Sequence, residues 1–170
     1  MHAKLLALCV TAGLLAGCRG EYRGEGTQQA TREINGQLRA WQKSFEAKDV
    51  NGVMQMYAPG SALTAYDIVP PLQYKGADAY RKDYAEFFAQ FAGPLQIQFR
   101  DEHMEVSGSL ALAYGLERIS GKLKSGQPAD LWVRYTSAFK KIDGRWRDIH
   151  DHISVPVDMN TGKAALDLRP

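Results

Sequence analysis

The hydrophobic period of this chain changes once, at Pro94, and that change sets the class of fold it can adopt. Before Pro94 apolar residues recur every three or four positions. Ile34, Leu38, Trp41 and Phe45 form one stripe over residues 30–49, which predicts an amphipathic helix. Asp49 is placed to cap a short second helix that turns Val50, Val53, Met54 and Tyr57 inward, and Pro59-Gly60 stops it. A third helix is predicted from 77, with an aromatic face of Tyr80, Tyr84, Phe87, Phe88 and Phe91, ended by Gly93 and Pro94. After Pro94 the period is two. Leu95, Ile97 and Phe99 alternate with polar residues, a second strand follows the Ser107-Gly108 turn, and Asp143-Gly144 joins two alternating segments as a hairpin. Residues 61–76 fit neither period, and Pro70-Pro71 bars a central strand there. Helices followed by strands predict an α+β domain, with three N-terminal helices packed on a curved antiparallel sheet. Helices that cover such a sheet incompletely leave a cone-shaped cavity.

The first residues carry a different message. Lys4 precedes an apolar run, Leu5 to Ala16, that is too short to span a bilayer as a mature helix. Leu15-Ala16-Gly17-Cys18 closes it and resembles the cleavage and acylation site of a bacterial lipoprotein. The resemblance implies a signal peptide over 1–17, a lipidated Cys18 and a glycine-rich tether over 18–30. A domain over 31–160 and a tail over 161–170 would follow. Arg19 is not the aspartate associated with inner-membrane retention, so the periplasmic side of the outer membrane is the expected address, or the cell membrane in a host with a single membrane. Cys9 would leave with the signal, so the mature chain would hold neither a disulfide nor a cysteine nucleophile.

The formal net charge is +2 and no long basic block is present, which argues against a nucleic-acid partner. There is no glycine-rich phosphate loop, dinucleotide fingerprint or serine elbow, so no cofactor is expected.

Candidate chemistry concentrates at residues 131–156. Strict alternation puts His150 and His152 on one face with Trp146, Asp148 and Ser154, and Asp151 on the other with Ile149 and Ile153. On the partner strand Trp132, Arg134 and Thr136 share a face. The histidines suit acid–base catalysis near neutral pH, or simply fix the hairpin. Two histidines with this spacing could share a metal ion, but a third ligand would have to come from Asp148 or a remote residue, and no metal is expected. Arg134 suits a ligand carboxylate or an internal salt bridge with Asp67, Asp148 or Glu117. Asp67 becomes a base if desolvated, and is otherwise a loop cap. Tyr57 and Tyr66 offer apolar walls with hydroxyl handles.

Three spaced patterns carry a resemblance: Trp132-x-Arg134-x-Thr136, Lys141-x-Asp143-Gly144-x-Trp146, and His150-x-His152-x-Ser154-x-Pro156. Over about residues 30–160 the chain resembles the NTF2-like superfamily, in particular SnoaL-like domains and ketosteroid-isomerase homologues. Its end is also similar to the association domain of calcium/calmodulin-dependent protein kinase, an oligomerisation module. The resemblance implies a cone-shaped fold with a pocket between sheet and helices, and a homodimer through the outer sheet face. It places Trp132, Arg134 and His150 near the pocket. Asp67 matches the isomerase base by order only. The first helix has Trp41 and Phe45 where isomerases use a tyrosine, so steroid isomerisation is not implied. The expected function is a lipid-anchored periplasmic domain that binds a small, carboxylate-bearing ligand or serves assembly, without turnover. The alternative is a cofactor-free isomerase, dehydratase or hydrolase using Asp67, His150 and His152.

Overall fold

The computed structural model describes residues 24–170; Cys18 and the segment read as its signal lie outside the described residues. Helix α1 spans Glu25–Glu46, and its predicted stripe is buried at Ile34, Trp41 and Phe45. Helix α2, Val50–Met54, is capped as expected, the Gly52 amide donating to Asp49 Oδ1 at 3.0 Å. Gly52 is needed for close approach to α1: a Cβ there would stand 2.2 Å from Ser44 Oγ. Helix α3, Ala77–Phe88, buries Tyr80, Tyr84 and Phe88. Each large side chain so buried contributes on the order of 1.5–3 kcal/mol.

The irregular segment holds two short strands, β1 (Thr64–Tyr66) and β2 (Tyr74–Lys75), separated by the Pro70–Pro71 pair. The long strands are β3 (Gln96–Ser107), β4 (Leu110–Lys122), β5 (Pro128–Ile142) and β6 (Arg145–Ser154). A terminal hairpin pairs β7 (Val157–Asp158) with β8 (Lys163–Ala164). Asp143 and Gly144 both take positive φ, 49° and 78°, as a two-residue hairpin turn requires.

The main sheet runs β2-β1-β6-β5-β4-β3. This corrects the expected curved, purely antiparallel cone. Strand β1 pairs in parallel with β6, Ala65 lying opposite Asp151, so the sheet is mixed. Its outer strands, β2 and β3, do not pair with one another, so it stays open and does not close. The parallel step is possible because no tight hairpin joins β1 to β6: β2, α3 and the strands β3 to β5 lie between them along the chain.

The helices cover one sheet face. Gln42 Nε2 donates to the Ile97 carbonyl, and the Leu95 amide donates to the Glu46 carbonyl, which ties α1 to the start of β3. Two bulges shape the strands. One lies in β3 between Arg100 and His103, opposite Gly115, where a Cβ would stand 3.0 Å from the Arg100 carbonyl oxygen. The other lies in β6: Ala138 pairs with His150 and Phe139 with Asp148, leaving Ile149 without a partner.

Candidate active site

The bulge at Ile149 decides which residues of the hairpin face the helices. Upstream of it Trp146 and Asp148 point inward; downstream Asp151 and Ile153 do. Strict alternation would have grouped Asp148 with the histidines. The extra residue resets the phase, so Asp148 and Asp151 share the buried face and His150 and His152 take the outer one.

Between α1, α3 and the inner sheet face lies a cavity of about 380 Å³. Trp41 and Phe45 of α1, Phe87 of α3, then Phe91, Phe99 and Tyr135 give it aromatic walls. Asp67, Ile68, Val69 and Pro70 form one edge. Its charged lining is wholly acidic: Asp67, Asp83, Glu86, Glu117 and Asp151, with no lysine, arginine or histidine.

Asp151 and Glu117 are the buried acids of this group, each 4 % exposed. Asp151 has the fuller set of partners. Its Oδ2 accepts from Tyr80 at 2.8 Å and Tyr57 at 3.0 Å, and its Oδ1 from Ser137 at 3.2 Å. The Tyr57 and Tyr84 hydroxyls are 2.6 Å apart, and either can be the donor. Burial raises the Asp151 pKa while the three hydroxyls pull it down. Asp148 is fully buried, its Oδ1 accepts from the His150 amide at 2.9 Å, and its Oδ2 has no partner among the described residues. Burial first, and then the charge on Asp151, raise its pKa well above the carboxylate range. Both carboxyls are raised, Asp148 further, and the hydroxyl donors favour charge on Asp151 over charge on Asp148. Burial and Asp151 together keep Tyr57, Tyr80 and Tyr84 protonated.

The other acids of the lining have less support. Asp67 is half-buried beside Asp83, and burial, then the Asp83 charge, raise its carboxyl to about 7. The Ile68 amide donates to it and opposes this in part. Asp83 accepts from Tyr74 at 2.7 Å. Glu117, 4 % exposed on β4, is pushed to about 8 by burial, then by the charges of Asp151 and Asp67. No hydrogen bond to its carboxyl is made among the described residues. Asp67 and Glu117 thus change charge near neutral pH inside a cavity of small-molecule size.

Of the residues singled out from sequence, Asp67 and Tyr57 line this cavity. Tyr66, Trp132, Arg134, Thr136, His150 and His152 do not. Tyr66 packs on both histidines across the sheet's outer face, with ring centroids 4.8 and 5.5 Å away, and His150 Nδ1 lies 2.9 Å from the Thr64 carbonyl oxygen. Arg134 is exposed, so its fork does not reach the cavity, nor does it pair with Asp67, Asp148 or Glu117. No cluster fit to hold a metal occurs among the described residues. The same outer face, where a second copy was expected to sit, leaves Leu112 and Tyr114 exposed.

Sequence reasoning missed Asp83, Glu117 and Asp151 as site residues. One signal was available: Asp151 sits between Ile149 and Ile153 on the face read as apolar, and a carboxylate there must find buried donors. Tyr57, Tyr80 and Tyr84, read mainly as wall or core, are phenols that need a buried acceptor.

A helical layer over an open mixed sheet, enclosing a cavity with an acidic lining, places the chain in the NTF2-like class. Solved structures agree. An NTF2-like protein of unknown function from Pseudomonas putida is 30% identical, covering 84% of this chain and 98% of its own, with a TM-score of 0.75. A protein from Novosphingobium aromaticivorans, provisionally named a scytalone dehydratase, is 14% identical, covering 84% and 96%, with a TM-score of 0.68. A protein from Xanthomonas campestris, provisionally named a calcium/calmodulin-dependent protein kinase II association domain, is 18% identical, covering 88% and 96%, with a TM-score of 0.62. The latter two share the fold alone. No protein of curated function matches. The profile of the SnoaL-like domain matches residues 34–158, and the chain belongs to that family.

Proposed function

We propose that the protein is a cofactor-free acid–base enzyme, an isomerase or dehydratase, acting on a small and largely apolar substrate. The observation that carries this is Asp67: a carboxyl titrating at about 7, beside Asp83, on the edge of an aromatic-walled cavity of about 380 Å³. A group with that pKa is ionised often enough to accept a proton and protonated often enough to return one. Asp83 raises its proton affinity, as two neighbouring carboxyls cannot both ionise freely. In this reading Asp67 removes a proton from substrate carbon and delivers it to another carbon or to a departing hydroxyl. The Tyr57 and Tyr84 hydroxyls are spent on one another and on Asp151, so they fix the floor of the site beside Asp67.

This reading is favoured over binding without turnover. A passive apolar pocket gains nothing from desolvated carboxyls that titrate near neutrality, and each costs stability once ionised. The dehydratase name of the Novosphingobium protein points the same way, although at 14% identity it speaks to fold.

The test is turnover of a panel of β-hydroxy ketones and β,γ-unsaturated ketones in deuterium oxide, followed by proton NMR. The expected result is water loss or double-bond migration with a rate inflection near pH 7. Asp67→Asn is expected to lower kcat/KM by about 10²–10⁴-fold. Turnover that persists unchanged in Asp67→Asn would overturn the assignment.

A further inference from the structure

One buried titratable group on the cavity is unused by the chemistry above. Glu117 projects from β4 between Phe99 of β3 and Val133 of β5, neither of which can donate to it. It is 4 % exposed and lines the cavity, and no donor among the described residues reaches it. Asp151 differs, because three hydroxyls support its charge.

We infer that the cavity selects a ligand whose polar end is a cation, an ammonium group on an apolar body, seated against Glu117. This deepens the acid–base reading and rests on the same cavity being the site. Three features converge. The lining carries only acids, with Asp67, Asp83, Glu86 and Asp151 adding to the negative potential at Glu117. No lysine, arginine or histidine in the lining offsets them, so a cationic ligand meets no internal competitor and can take the place of the retained protons. The aromatic walls, among them Trp41, Phe45, Phe99 and Tyr135, supply π-systems that can attract a desolvated cation while packing its apolar body. An anion meets the same potential as a barrier. A neutral alcohol can hydrogen-bond to Glu117 but leaves the potential unrelieved. The titratable groups bearing on Glu117 are the carboxyls of Asp151 and Asp67 and the phenols of Tyr84 and Tyr135, none of them a cation, and its carboxyl is raised to about 8. An arriving cation therefore favours the ionised form, and binding near neutral pH releases protons.

Isothermal titration calorimetry with three probes on one skeleton tests this: phenylbutylamine, phenylbutanol and phenylbutyrate. The amine is expected to bind about tenfold or more tightly than the alcohol, with the carboxylate silent. Heats of amine binding in buffers of different ionisation enthalpy should reveal proton release. Glu117→Gln should bring amine and alcohol within about twofold, with an unaltered near-ultraviolet circular dichroism spectrum reporting an intact fold. Alcohol binding as tightly as amine, binding of phenylbutyrate, no amine binding up to about 10 mM, or amine preference surviving in Glu117→Gln would each overturn the inference. The wild-type arm stands even if the variant misfolds. Amine selectivity without any turnover would remove only the catalytic reading, and Asp67-dependent turnover with no amine preference would remove only the cationic ligand.

Discussion

Replacing Glu117 by glutamine should make the protein more stable in alkali and leave it nearly unchanged in acid. In the unfolded chain this carboxyl titrates near 4.5, and in the folded protein at about 8. Below pH 4.5 both states hold the proton and the group is neutral in its effect. Between those values the unfolded chain ionises while the native one keeps its proton. Native stability then falls by up to about 1.4 kcal/mol per pH unit. Above 8 both states are ionised, and the folded protein bears the full cost of a buried carboxylate. The interval corresponds to about 5 kcal/mol, and water entering the cavity can hydrate the ionised carboxylate and bring this to roughly 2–5 kcal/mol. Glutamine has nearly the same shape and no titration, so this decline disappears in the variant. Urea unfolding followed by tryptophan fluorescence from pH 5 to 9 measures it. With slopes of about 1–3 kcal/mol per molar urea, the variant's midpoint should exceed the wild type's by about 1 M or more at pH 9. The two should agree to within about 1 kcal/mol at pH 5. The decline due to Asp67, complete near pH 7, should remain in both proteins, which makes the difference curve specific to Glu117. Parallel curves across the whole range would refute the placement of Glu117 as a desolvated acid.

Tyr80→Phe keeps the ring that packs in the core but removes the 2.8 Å donor to Asp151; it should cost about 1.5–3 kcal/mol in urea unfolding, and a loss below about 0.5 kcal/mol would mean that Asp151 is not charged in the folded state. The double substitution Arg134→Ala, His152→Ala acts on the exposed outer sheet face, so probe affinity in the cavity should stay within about twofold and stability within about 1 kcal/mol of wild type; a larger loss of affinity would move the binding site to that face.

The period change at Pro94 located the helical and strand halves because each period reports a locally repeating geometry. The stripe Ile34, Trp41, Phe45 and the Asp143-Gly144 turn are legible for the same reason: every residue that matters lies within a few positions of the next. The parallel pairing of β1 with β6 joins Thr64 to His150, and a three-residue strand has too short a period to announce a partner so distant. Even less legible was the bulge at Ile149. One unpaired residue advances the alternation by a single step, after which each side chain takes the face opposite to that expected. The expectation that His150 and Arg134 share a face held, since both lie on the outer one, but Asp148 left that group for the buried side. Thus Tyr57 and Asp67 were found from their own chemistry, while Glu117 and Asp83 became visible only through what the fold brings against them.

The acids of the inner face divide by where their compensation comes from. Asp151 has three hydroxyl donors from α3, β5 and the segment after α2, which favour charge on it over charge on Asp148, so this couple is supported within the protein and fixes the floor of the cavity. Asp83 has the Tyr74 hydroxyl. Asp67 has the backbone amides of Ile68 and Val69 and still rises to about 7, and Glu117 has no donor and rises to about 8. Structural acids are expected to be satisfied in the absence of ligand, because an unpaired buried group costs about 1–3 kcal/mol, and more when charged. By that criterion Asp151, which has the most hydrogen bonds of the cavity's acids, belongs to the scaffold. The two acids with the weakest support are the ones whose protonation a bound molecule can still change, and for that reason the assays are directed at Asp67 and Glu117 rather than at the tyrosine cluster beneath them.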